Sequence, residues 1–218
     1  MEETTRMAGE FFERYACQFD EIYMIQNQKG FRGWLNRQLR ASILLRYQKT
    51  FLYLQPMAKH TVIDIGCGSG RYILKCLELN AAKVTGIDLS AEMLEIARNA
   101  LEQTGDLSKQ AELVCQDFFE HKFREPYDYA IVMGVMDYVE NPKEFLRRLS
   151  GAFNKKAALS FPAAESLWAW QRAVRYKLRR CPLYFYERDK LENLIESAGF
   201  SNYSIERIKR DYFVALWK

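Results

Sequence analysis

Long apolar runs are missing from this sequence, which argues against a helical membrane protein. No stretch approaches the roughly 18 to 20 uninterrupted apolar residues that span a bilayer, and even residues 43–54 are broken by Arg46 and Lys49. No secretory leader is expected either: the opening MEETTRMAGEFFERY is acidic and polar where such a leader carries positive charge before an apolar run. The expectation is therefore a cytoplasmic protein. Histidine is scarce, with only His60 and His121, and five cysteines (Cys17, Cys67, Cys76, Cys115, Cys181) stand at irregular spacing without a Cys-x-x-Cys pair. That argues against a zinc or disulfide framework, so no metal is expected, and Cys76 and Cys115 read as small buried apolar residues.

What is present is ordinary for a folded domain. Hydrophobic residues make up 49% and charged residues 28% of 218, enough for a substantial core. The length is large for one small module and small for two, so one domain with added segments is expected. No repeat, linker or low-complexity segment interrupts it.

Strand and helix patterns alternate. The runs TVIDI (61–65), KVTGIDL (83–89) and AELVCQD (111–117) read as strands. Between them Leu74, Leu77 and Leu79, then Met93, Leu94, Ile96, Ala97, Ala100 and Leu101, recur with a helical period. YDYAIVM (127–133) is nearly continuous in apolar residues, as a strand buried on both faces should be. Asn141-Pro142 opens a helix through Phe145, Leu146 and Leu149, and KAALSF (156–161) is a fifth strand closed by Pro162. ERDKLENLIESAGF ends a helix at Gly199, which suits a left-handed cap, and NYSIERI and YFVALWK can form a hairpin. The expected fold is α/β: a doubly wound, mostly parallel seven-stranded sheet with one antiparallel strand and helices on both faces. Residues 11–25 and 31–54 read as helices of an N-terminal extension, and residues 163–186 as an insertion after the fifth strand.

The sharpest motif is Asp64-Ile65-Gly66-Cys67-Gly68-Ser69-Gly70, at the junction of the first strand and a helix. Glycines there let backbone approach a ligand, and the helix start attracts an anionic group. The next strand ends in Asp88, a carboxylate placed to accept both hydroxyls of an adenosine ribose. Arg71 stands where a dinucleotide fingerprint needs its third glycine, and glycine comes one residue earlier.

This Asp-x-Gly-x-Gly-x-Gly pattern resembles motif I of the class I (Rossmann-like) S-adenosylmethionine-dependent methyltransferases, and residues 86–94 (GIDLSAEML) resemble their next motif. The resemblance covers residues 62–149 and implies S-adenosyl-L-methionine as cofactor. It implies that Asp64, Gly66, Cys67, Gly68 and Gly70 shape the pocket for the methionine part and that Asp88 holds the ribose. Leu89 would contact the adenine face, Asp117 its amino group, and Phe118 would offer backbone and ring to the same base. Met133 and Gly134 would pass beneath the sulfonium. The family often continues the fourth strand with an acidic residue and a histidine; here Asp137-Tyr138 follows, so that histidine's role has no counterpart. On this reading residues 1–58 are a helical extension, 59–162 the donor-binding core, 163–186 an insertion or lid and 187–218 the C-terminal helix and hairpin.

For the acceptor, the residues near the ends of the fourth and fifth strands are Asp137 and Tyr138, as candidate catalytic groups, and Glu165; Tyr15, Tyr23, Tyr184 and Tyr186 join them from the added segments. Methyl transfer from a sulfonium is an in-line displacement with an activated leaving group, so alignment can supply much of the catalysis and a strong base is optional. Charge is more telling. Residues 29–60 hold seven basic residues, and residues 166–181 hold five, including Arg172 and Arg175, with no acidic residue in either stretch. The remainder of the chain has an acidic excess. Additions at these places commonly cover the acceptor in this family, so a small anionic acceptor, methylated on oxygen or nitrogen, is expected, with Arg172 and Arg175 attracting it; a solvated basic face is the plain alternative. Trp168 and Trp170 fit a lid packed on the core. An RNA or nucleotide acceptor is the rival, weakened by Met133-Gly134-Val135-Met136, which lacks the Asn/Asp-Pro-Pro-aromatic signature of many amino-group methyltransferases. A nicotinamide-dependent oxidoreductase and an inactive methyltransferase-like binding module are the more distant alternatives.

Overall fold

The computed structural model describes residues 31–165 and 183–218, with side chains from residue 41 onward; of the first thirty residues it describes Met7 alone. Helix α1 (Phe31–Tyr53) precedes β1 (Thr61–Ile65), α2 (Arg71–Glu78), β2 (Lys83–Asp88) and α3 (Ala91–Glu102). A 3-10 turn (Gly105–Gln110) leads into β3 (Ala111–Cys115), then β4 (Tyr127–Val132), α4 (Pro142–Ala152) and β5 (Phe153–Pro162). Helix α5 (Arg188–Ser197) and the hairpin of β6 (Tyr203–Ile208) and β7 (Asp211–Trp217) complete the chain.

The strands form one sheet in the order β3-β2-β1-β4-β5-β7-β6. Neighbours from β3 to β5 pair parallel, and β7 runs antiparallel to both β5 and β6. The expected seven-stranded sheet with one antiparallel strand is therefore found. Strand order reverses between β1 and β4, and the crevice at their carboxyl ends is where such a sheet takes a ligand.

Near-continuous apolar strands follow from two cores. Alternate residues point to opposite faces: Ile63, Ile65, Val132, Leu159 and Phe161 join one core with Phe145 of α4 and Leu191 of α5. Val62, Ile131 and Ala158 join the other with Phe51 of α1, Leu77 of α2 and Leu94 of α3. Each central strand thus buries both faces.

Local signals set the helix ends. Ser90 caps α3 by accepting Met93 N–H at 3.2 Å, and Asn141 caps α4 by accepting Glu144 N–H at 3.2 Å ahead of Pro142. At the end of α5, Gly199 (φ +99°) donates to Glu196 O and Phe200 N–H reaches Ile195 O, a complete Schellman closure.

Three readings need correction. The buried face of α2 is Ile73, Cys76 and Leu77, while Leu74 and Leu79 are only half-buried. Cys115 is exposed, although Cys76 is buried as expected, because β3 is the edge strand and its last residue faces out. The fifth strand begins at Phe153, three residues early, directly after α4.

Candidate active site

The loop after β1 is drawn across to β2. Gly66 and Cys67 both donate N–H to Ile87 O, at 2.7 and 3.1 Å. Gly66, Gly68 and Gly70 all have positive φ, at +70°, +52° and +77°. At Gly66 a side chain would also collide with Val135 Cγ2, so the loop can lie close under the β4 carboxyl end only with glycine. Gly86, whose motif was legible but whose task was not, has a packing role: a Cβ there would collide with Ile73 and lie 2.9 Å from Cys67 Sγ. Cys67 itself turns its side chain into the core and is 7% exposed, and burial pushes its thiol up. Of Cys67 only the main chain is left to shape the loop toward a ligand.

Two carboxylates stand against this loop. Asp88 accepts Gly68 N–H at 2.8 Å through Oδ2 and Ser90 N–H at 2.9 Å through Oδ1, so it fixes the loop while Ser90 does the helix capping. Burial raises its pKa, and the backbone donors Ser90, Gly68 and Leu89 oppose that shift. Asp64 is 1% exposed, and burial, then the neighbouring Asp88, pushes its carboxyl up to about 8. Its Oδ2 has no hydrogen-bond partner among the described residues. A buried oxygen without a donor is costly, and a cationic group entering the loop would supply what it lacks. The residues present thus fit a ligand bearing an ammonium group, as S-adenosylmethionine does.

Leu89 follows β2 and is 38% exposed, free to meet a base. After β3, Asp117 accepts Phe119 N–H through Oδ1 at 2.8 Å, while Asp117 O accepts Glu120 and His121 N–H. Phe118 is 5% exposed and packs against Phe145 at 4.8 Å and Phe123 at 5.8 Å. Its ring is a core side chain, so the expected stacking of that ring on adenine is corrected: the main chain is what it can offer.

At the end of β4, Gly134 (φ +80°) follows Met133 and donates its N–H to Ser160 Oγ of β5 at 2.9 Å. Ser160 Oγ also accepts from Arg46 Nη1 at 3.2 Å, and Arg46 Nε lies 3.7 Å from Asp211 Oδ2. Ser42 Oγ donates to that same Asp211 oxygen at 3.1 Å. Asp211 pairs with Pro162, which places it at the carboxyl end of β5. This network of Ser42, Arg46, Ser160 and Asp211 joins α1 to the crevice. The sequence reading missed it; Arg46 was visible only as one member of a basic run.

The other acceptor candidates are dispersed. Asp137 is 2% exposed, so its carboxylate lies inside the protein rather than on an open mouth; its carbonyl accepts Tyr184 N–H, and Met136 O accepts the Tyr186 hydroxyl at 3.1 Å. Tyr138 is half-buried and donates its N–H to Val135 O. Glu165 is exposed and engaged by Arg207 at 2.8 Å and the Tyr212 hydroxyl at 2.9 Å, which tie it to the hairpin. Tyr15, Tyr23, Arg172 and Arg175 lie outside the described residues, as do Trp168, Trp170, the expected helix at 11–25 and most of the expected lid. His60 meets Asp128 at 3.1 Å at the amino ends of β1 and β4, away from the crevice. Among the described residues no cluster of three His, Cys, Asp or Glu could hold a metal ion, and no helix is long and apolar enough to cross a membrane.

With this geometry in place, likeness to known proteins is decisive. A family model described as "Methyltransferase domain" matches residues 31–205. The chain belongs to that family. It is a class I S-adenosylmethionine-dependent methyltransferase. A ubiquinone biosynthesis O-methyltransferase of Actinobacillus pleuropneumoniae is 24% identical over 162 residues, 70% of this chain and 69% of that protein. A tRNA U34 carboxymethyltransferase of Idiomarina loihiensis is 26% identical over 169 residues, 73% of this chain, which spans about half (51%) of that relative. Among solved structures, the magnesium protoporphyrin IX methyltransferase of Synechocystis PCC 6803 with bound SAH superposes with a TM-score of 0.77 at 18% identity, over 98% of this chain and 97% of that one. Their acceptors differ widely on a common fold.

Proposed function

We propose that this methyltransferase transfers its methyl group by in-line displacement to an oxygen or nitrogen atom of a small anionic acceptor. The observation that carries the reading is Arg46: from a stretch with seven basic and no acidic residues, α1 delivers its guanidinium to Ser160 beside Gly134, at the carboxyl ends of β4 and β5. The second acid-free basic stretch, with Arg172 and Arg175, follows β5 in the sequence. Not every basic residue of the first stretch serves this end, since Lys49 pairs with Glu206 on the surface at 2.6 Å.

S-adenosylmethionine, when bound, supplies a methyl group already activated by its positively charged sulfur. Asp64 would take its ammonium and the glycine loop 66–70 would make room for its amino acid part. Asp88 would take the ribose hydroxyls: each carboxylate oxygen has a second lone pair, so it can do this while keeping Gly68 and Ser90 in place. Leu89 would contact the base, Asp117 its amino group, and Met133 and Gly134 would form the floor under the reacting end. Alignment and exclusion of water then supply the catalysis, worth roughly 7 to 11 kcal/mol in favourable cases. Of the two candidates on the turn after β4, half-buried Tyr138 is the group proposed to orient the acceptor nucleophile, while buried Asp137 would act only by holding that turn.

The test is methyl transfer to neutral and anionic forms of one acceptor, in the parent chain and in variants with Arg46→Met or with Arg172 and Arg175 changed to Gln. Preference for the anionic form should fall in the variants; an unchanged preference overturns the reading. The relative acting on tRNA gives the rival reading a concrete form: methylation of RNA with an affinity that falls steeply with salt would favour it.

A further inference from the structure

One arginine of α4 is spent on the loop that carries Asp117. Arg147 is exposed, whereas Arg148, its neighbour, is half-buried and turned onto residues 117–123. Arg148 Nε donates to Phe118 O at 2.8 Å, and Nη2 donates to His121 O. The same guanidinium lies 5.6 Å from the centre of the Phe118 ring and 5.4 Å from that of Phe123. One planar group thus gathers two carbonyls and two rings of a single turn.

The chemistry requires arginine. Its planar fork can direct separate N–H groups at two carbonyls while its faces rest on aromatic rings, which the point charge of lysine cannot do. The turn is the one that sets Asp117: Oδ1 is held by Phe119 N–H, and the backbone of Glu120 and His121 closes onto Asp117 O. With the N–H groups of the turn directed at Asp117 and two of its carbonyls held by Arg148, the direction of the Asp117 side chain depends on α4.

We infer that Arg148 is a positioning residue for base recognition: it presets the turn after β3 so that Asp117 meets the exocyclic amino group of an adenine. The inference rests on the assignment of Asp117 to that amino group made under Proposed function. Arg148 acts through its contacts with Phe118, His121 and Phe123, so its effect is confined to the base end of the site. It deepens the donor reading by making the choice of base, rather than donor binding as a whole, depend on a residue of a different helix.

The experiment compares S-adenosylhomocysteine with S-inosylhomocysteine, in which oxygen replaces the amino group, by calorimetry. In Arg148→Met the preference for the adenosyl ligand should fall on the order of tenfold, as expected for loss of the charge-assisted bonds to Phe118 O and His121 O that hold the turn bearing Asp117, while the inosyl affinity changes little. Arg148→Lys keeps the charge and the stem and should show the same loss, so the result does not depend on one variant folding. Equal weakening of both ligands would mark Arg148 as merely structural and overturn the inference. An intact preference in both Arg148 variants, with loss in Asp117→Ala, overturns it as well. If Asp117→Ala also keeps the preference, the assignment of Asp117 to the base fails, and the inference with it.

Discussion

The half of the crevice formed by β1 and β2 is made of backbone and short carboxylates, whereas the half formed by β4, β5 and β7 is made of side chains drawn together from distant elements. On the first side Gly66, Gly68, Asp64 and Asp88 all belong to one strand-helix-strand unit, with Asp88 holding Gly68 directly. On the second, Arg46 and Ser160 are 114 positions apart and Ser42 and Asp211 are 169 apart. A donor common to a whole family can be met by fixed local geometry. On the function proposed above, an acceptor that differs between relatives would be met by parts that can change independently.

The contrast is broken most severely at Gly66. Changing it to Ala combines a strained positive φ with a collision at Val135, at a cost of roughly 1–3 kcal/mol for the backbone alone. Donor affinity should fall by about 100-fold or more, read by calorimetry. Gly134→Ala is the matched control: φ is +80°, but the nearest atom a Cβ would meet is Arg46 Nη1 at 3.8 Å. Its cost should be limited to the backbone, about 1 kcal/mol in urea unfolding.

Next in size is proton linkage at Asp64. Its folded-state pKa is raised to about 8, so its neutral form is favoured in the fold. Its contribution to stability is complete below the ordinary carboxylate range and is lost as pH rises toward about 8. A cationic ligand reverses the preference. Binding of S-adenosylhomocysteine near pH 7 should therefore release on the order of one proton, and affinity should rise with pH up to that value. Calorimetry in buffers of different ionisation enthalpy reads the proton directly; release that persists in Asp64→Asn would assign it elsewhere.

Ser160→Ala removes the acceptor shared by Gly134 N–H and Arg46. A loss of about 1–3 kcal/mol is expected, because a part-buried N–H is left unmet. Donor affinity should hardly move, and a large loss of it would erase the division between the two sides. The smallest effect belongs to the exposed Lys49–Glu206 pair: Lys49→Ala should cost no more than about 1 kcal/mol, and less in high salt.

Legibility followed the same division. The alternation of strand and helix, the glycine loop, the caps at Asn141 and Gly199 and the closing hairpin were readable because each depends on neighbours in the chain. The buried face of α2 was misread, since Leu74 and Leu79 are as apolar as Leu77 and only the helix's seat on β1 and β2 selects Ile73 and Cys76. Cys115 was misread because edge position is a property of strand order. Phe118 was assigned to a base, but the rings of Phe123 and Phe145 claim it.

By itself the sequence determined the sheet, its one reversed strand and the glycine loop after β1. Those depend on period, turn chemistry and the absence of a β-carbon, all properties of short stretches. Only the tertiary structure decided that Arg46 reaches Ser160, that Arg148 holds the turn bearing Asp117, and that Asp64 is left with an unmet oxygen. Burial and side-chain encounters of this kind arise when strands and helices remote in sequence are packed against one another.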